Sequence, residues 1–161
     1  MVMTMHQVVA LLSPDEMNHR AAARHGAQLL PHLRTIVAGS NVALAARAAV
    51  LAGHIDDPGT PGVLAIAARN ASPVVRVAAA NAMRAVRQPA VVATLLRLLD
   101  DGDIGVRKFA IKASVQQRDP RLQAKVAALG ARDPSPALRQ IAMAALGGGG
   151  RGPGSNGSRI A

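Results

Sequence analysis

Four stretches of this chain repeat one pattern: SNVALAARAAVLAGHID (40–56), SPVVRVAAANAMRAV (72–86), DIGVRKFAIKASVQQRD (103–119) and SPALRQIAMAALGG (135–148). Each sets an aliphatic residue, usually an arginine, two variable positions and then a run of small residues. Arg107 lies 31 residues after Arg76 and Arg139 lies 32 after Arg107; a step of 31 back from Arg76 reaches Ala45, where the pattern continues without the arginine. A period in the range of about 20–50 residues marks a solenoid, whose units bury their apolar faces against one another. Between the repeats lie PGTPGVLAIAARN (58–70), QPAVVATLLRLLDD (88–101) and DPRLQAKVAALGARD (119–133), with apolar residues at helical spacing, as at Val91, Leu95 and Leu98. Each opens with a proline near its start, which suits the first turn of a helix, where no amide donor is required. The intervening breaks place Asp, Asn or Ser where a helix N-cap belongs.

The grammar is therefore helix, short turn, helix, short turn, and the fold class is all-α, a right-handed α-solenoid of about four helical hairpins. Half of the residues are hydrophobic, yet only 1% are aromatic, with one Phe and no Trp or Tyr. The core must be built from Ala, Val and Leu, which lets helices approach closely. No cysteine is present, excluding disulfides and thiolate metal sites. The N-terminal stretch lacks the charged start and cleavage site of a signal peptide, and no apolar run approaches the ~20 residues of a membrane span, so a soluble cytoplasmic protein is expected.

The Val-Arg-x-x-Ala-x-x-Ala-Leu-Gly pattern with Asp-Pro turns resembles the short HEAT-like repeats of the phycobilisome-lyase type over residues 40–148. The resemblance implies that the Val-Arg pair opens the inner helix of each unit and that Arg76, Arg107 and Arg139 are structural, pairing with acidic turn residues nearby. Asp101 or Asp103 is the expected partner of Arg107, and Asp133 that of Arg139. It also implies a concave binding face made by the variable positions of the inner helices: Ala46, Arg47, Val50 and His54, then Val77, Ala78, Asn81 and Ala85, then Lys108, Phe109, Lys112 and Gln116, then Gln140, Ile141, Ala144 and Gly148.

Within that face the third unit stands out, because Phe109 lies beside Lys108 and one turn before Lys112. Lys108, Phe109 and Lys112 are the first candidate contacts for a partner, supported by Arg47, Asn81 and Gln140; Phe109 suits either a groove anchor or a filler between units. Net charge is +10, and its distribution is uneven: residues 1–80 carry six basic and four acidic side chains, residues 81–161 thirteen and five. The run Lys108, Lys112, Arg118, Arg121 and Lys125, with Arg84, Arg87 and Arg97 before it, fits phosphate contacts, but aromatic platforms for bases are missing.

Chemistry finds little support. His19, His25 and His32 are the closest histidines, and the six-residue step from His19 to His25 puts them on different helix faces, so no metal is expected. No Gly-x-Ser-x-Gly elbow or phosphate loop occurs, adjacent acids sit at helix junctions where they cap, and neither a catalytic residue nor a cofactor is expected.

Three segments are expected: 1–38, an N-terminal capping helix and the first outer helix (Asp15 to Ala38); 39–148, the repeat array; and 149–161, a disordered Gly-rich tail that holds Arg151 and Arg159. Apolar Met5, Val8, Val9 and Leu12 suit a cap over the first unit or a dimerisation helix. The last helix has few polar residues, which leaves that end open to a folded-back tail or another subunit. The function expected is a non-catalytic scaffold or adaptor that holds an acidic or amphipathic segment of another protein on the concave face. The alternatives are a nucleic-acid or polyanion binder and a subunit that assembles through open ends.

Overall fold

The computed structural model describes residues 2–13 and 18–148; the expected tail, and Asp15 and Glu16, lie outside the described residues. Ten α-helices and no strand occur among these residues: α1 (Met5–Leu11), α2 (His19–Ala23), α3 (Leu30–Val37), α4 (Val42–Gly53), α5 (Thr60–Ala67), α6 (Pro73–Ala82), α7 (Val91–Leu98), α8 (Ile104–Gln117), α9 (Pro120–Arg132) and α10 (Pro136–Gly147). The pairs α3/α4, α5/α6, α7/α8 and α9/α10 are the four hairpins of an α-solenoid.

The turn chemistry explains where each helix starts. The side chains of Asn41, Asp103, Asp119 and Ser135 accept from the backbone amides of Leu44, Val106, Leu122 and Leu138, so orphan donors of α4, α8, α9 and α10 are satisfied locally. Pro73, Pro120 and Pro136 occupy first helical positions. Pro89 instead precedes α7 by two residues, in a turn whose carbonyl accepts from Val92.

The described part of the helical segment expected from Asp15 to Ala38 is divided into α2, a 3-10 turn and α3. Gly26 adopts φ +57°, a left-handed conformation no helix interior uses, and a 3-10 turn over Gly26–Leu29 follows it. Pro31, which has no amide to donate, then sits in the first turn of α3. Val8 and Leu12 of the N-terminal segment are fully buried, and the His32 ring lies 2.8 Å from the Met3 carbonyl, tying that segment to α3.

Side-chain size sets the shape of the stack. The second helices α4, α6 and α8 bury mainly alanines, among them Ala45, Ala49, Ala52, Ala79, Ala80, Ala110 and Ala113. The first helices α3, α5, α7 and α9 bury Leu33, Val37, Leu64, Leu95, Leu98, Leu122 and Val126. Small residues let α4, α6 and α8 pack tightly on one another, while bulky ones hold the helices of the other layer further apart. At Gly53 the approach leaves no room for a side chain, since a Cβ there would lie 2.8 Å from the Ala82 Cβ.

Candidate functional site

One polar rung joins successive units. Arg76 at the start of α6 directs Nε and Nη2 to the two carboxylate oxygens of Asp101, at 2.8 and 3.0 Å, and Nη1 to the carbonyls of Asn70 and Ala71. Arg107 repeats this arrangement on Asp133, at 2.9 and 3.2 Å, with Nη1 on the carbonyls of Asp101 and Gly102. A guanidinium fork thus bonds backward to its own turn and forward to the carboxylate of the next. Each carboxylate also accepts from an amide two residues on, Asp103 or Ser135.

The register of this pairing differs from the sequence expectation. Asp101 serves Arg76, and Asp133 serves Arg107 rather than Arg139. Asp103, beside Arg107 in sequence, turns its carboxylate to the Val106 amide instead. Among the described residues Arg139 reaches only the carbonyls of Asp133 and Pro134. The reason is reach: the fork bonds its own turn through one nitrogen, which leaves the bidentate edge facing the following unit.

The first unit replaces both halves of the rung together. Ala45 stands where Arg76 and Arg107 stand, and Asn70 stands where Asp101 and Asp133 stand. The Asn70 oxygen accepts from the Ser72 amide, as the aspartates do from Asp103 and Ser135, while its amide donates to the carbonyls of Val37 and Gly39; at Gly39 it takes the role that Nη1 of an arginine has in the next units. Sequence reasoning missed Asn70, although its place in the repeat marks it.

Burial alone pushes the Asp101 carboxyl up. The hydrogen bond and charge of Arg76, with the Asp103 amide, outweigh that and hold it below the usual aspartate range. Asp133 behaves alike: burial raises it, and Arg107 with the Ser135 amide and the Arg139 charge outweigh that, so its carboxyl is held below the ordinary value.

The candidate contact residues fall on the alanine-rich layer. Phe109 is half-buried and packs on the core edge, and the Lys112 ammonium sits 5.4 Å from its ring centroid, within cation–π range. Lys108 and Lys112 are half-buried and make no ion pair among the described residues. Arg47, at the position in α4 that Phe109 holds in α8, buries an Nε that has no hydrogen-bond partner. Asn81 accepts from Arg84, and Gln140 is exposed. Next to Lys112 a cleft of about 410 Å³ lies between α8 and α10, lined by Arg84, Lys112, Val115, Gln116, Ile141 and Ala144 among others.

The structure separates the basic run that looks continuous in sequence. Lys108 and Lys112 belong to α8, whereas Arg121 and Lys125 belong to α9 in the opposite layer and pair with Asp119 and Asp100, at 2.9 and 2.7 Å. Arg97, also on the outer layer, donates to the Ala68 carbonyl. Among the described residues every aspartate lies in a turn or cap, and no helix body carries a carboxylate. The described residues also hold no group of three or more metal-ligating side chains, and no helix among them is long and apolar enough to cross a membrane.

An array of helical hairpins joined by arginine–aspartate rungs is a repeat scaffold, and residues 60–147 match the family model of HEAT repeats. The chain belongs to the HEAT repeat family. Its fold is similar to a chain in the structure of the complex of CpcE and CpcF of phycocyanin lyase from Nostoc sp. PCC7120, with a TM-score of 0.71 and 21% identity over 88% of this chain and 96% of that one. No curated protein matches the sequence.

Proposed function

We propose that this protein is a non-catalytic adaptor that holds an acidic, amphipathic segment of another protein along its alanine-rich concave layer. Lys108, Phe109 and Lys112 form the main contact, with Arg47, Asn81 and Gln140 along the same layer. The observation that carries this reading is the cluster on α8, where the Lys112 ammonium stands 5.4 Å from the Phe109 ring. Lys108, Lys112 and Arg47 have no carboxylate partner among the described residues; Arg97 and Arg132 of the other layer share that lack, but with no aromatic ring beside them. An acidic segment supplies the missing partners, and Phe109 supplies an apolar anchor beside them. That the similar solved structure is a complex of two proteins supports a protein as the partner class.

Fluorescence anisotropy with two labelled probes tests the proposal: an amphipathic peptide of Glu and Leu, and a single-stranded oligonucleotide of equal charge. The peptide is expected to bind the wild-type chain, and Phe109→Ala is expected to weaken it about tenfold, equivalent to about 1.4 kcal/mol. Tighter binding of the oligonucleotide, with a steep salt dependence and no response to Phe109→Ala, contradicts the adaptor reading and makes the protein a polyanion binder.

A further inference from the structure

Position by position, the forward face of α10 continues the surface that each earlier unit buries under the next. Ala49 in α4, Ala80 in α6 and Ile111 in α8 occupy equivalent places and are all 0% exposed; the equivalent residue in α10 is Met143, which is 65% exposed. Ala52, Met83 and Ser114 form a second row, again 0% exposed, and continue to Leu146 at 37%. The third row is the fork. Arg76 and Arg107 each reach forward to an aspartate, whereas Nε and Nη2 of Arg139 face no carboxylate among the described residues. Residues 149–161 contain no Asp or Glu with which to fill that place.

We infer that the α10 end is a docking site for a helical hairpin of a partner protein, whose turn carries an aspartate that Arg139 grips as Arg107 grips Asp133. Charge complementarity selects this occupant over a second copy of the chain. Two α10 faces brought together would set Arg139 against Arg139 with no free carboxylate, since Asp133 is engaged by Arg107. A head-to-tail copy would offer Gly39 at the place of the aspartate, and its first unit is already covered by the segment that buries Val8 and Leu12. The hairpin's apolar face covers Met143 and Leu146, and its turn aspartate restores the bidentate pair.

The chain has no cysteine, so a Met143→Cys variant carries a single thiol at the centre of this face. The probe is a peptide of residues 119–148, a hairpin with Asp133 in its turn, added to the full-length variant while thiol labelling is timed. The same unit is also tested in tethered form, with residues 118–148 repeated after Gly148. Saturating peptide, or the tethered unit, is expected to slow labelling about tenfold. Asp133→Asn in the added unit, or Arg139→Gln in the host, is expected to raise the half-protecting peptide concentration about tenfold, with no further loss when the two are combined. Phe109→Ala is expected to leave this protection unchanged, which separates the end face from the concave layer. Thiol reactivity unchanged by both forms of the hairpin, or protected equally by the Asp and Asn versions, overturns the inference. So does protection that grows with the concentration of the chain alone, because the occupant is then a second copy.

Discussion

At the scale of single residues, one fork-and-carboxylate unit does two jobs: it satisfies the carbonyls at the end of one helix and fixes the next hairpin against it. The Arg107–Asp133 pair is the more buried of the two rungs, with the Asp133 side chain only 2% exposed. Removing one partner leaves the other charge without compensation. Asp133→Ala is therefore expected to cost about 2–4 kcal/mol and to lower the melting temperature by several degrees, measured by circular dichroism. The folded-state pKa values of Asp101 and Asp133 are depressed, so the stability these groups contribute is fully present above the ordinary aspartate value of 3.8 and is lost as pH falls through the folded values. Urea midpoints should fall between pH 5 and about pH 2 in the wild type, and the Asp101→Asn, Asp133→Asn double variant should show a flatter profile from a lower starting stability. An unchanged slope would remove the rungs as its source. The first unit gives the converse test: Asn70→Asp turns a carboxylate toward the carbonyls of Val37 and Gly39, with no arginine at position 45 to receive it. A loss of about 2 kcal/mol is expected in chemical denaturation, about as large as for Asn70→Ala.

At the scale of elements, the contrast between alanine-rich and leucine-rich helices decides how near neighbours come. Gly53 marks the limit: Gly53→Ala brings its Cβ to 2.8 Å from the Ala82 side chain and 3.1 Å from the α6 backbone, so the helices must separate. The expected cost is about 1–3 kcal/mol by thermal unfolding. Gly147→Ala meets nothing within 4 Å among the described residues and is expected to be neutral or stabilising, which makes it the control. Helices of this kind were legible in the sequence because their signals are local. The four hairpins follow from the apolar spacing, the N-caps at Asn41, Asp103, Asp119 and Ser135, and the prolines of first turns. The break at Gly26 was missed because an apolar pattern runs through it, and a positive φ leaves no mark on hydrophobic periodicity. The rung register was missed for a different reason: the carboxylate nearest in sequence, Asp103, is held by its own helix, and the pairing that forms spans about 25 residues. The basic run misled in the same way, since residues 108–125 cross from one layer to the other.

At the scale of the whole molecule, repetition separates the charges. Among the described residues aspartates occupy turns, where caps and rungs need them, and helix bodies are left basic or neutral. Arg47, Asn81, Lys108, Phe109 and Lys112 share the alanine-rich layer, the side on which we propose that an extended segment touches several units at once. The end of the stack offers a second, chemically different surface, apolar with one arginine fork. The partners proposed for the two surfaces differ accordingly, a flexible acidic segment along the layer and a folded hairpin at the end. The groove is tested most directly by photo-cross-linking: an acidic amphipathic peptide with a photoreactive group near its centre is irradiated with the full-length chain, and the adducts are located by mass spectrometry. Adducts concentrated on 108–116 and on the facing positions of α6 and α10, and lost with Phe109→Ala, are the expected result. Adducts on α9 around Arg121 to Arg132, or a distribution that follows exposed cations on both layers and ignores Phe109, would contradict a concave binding face.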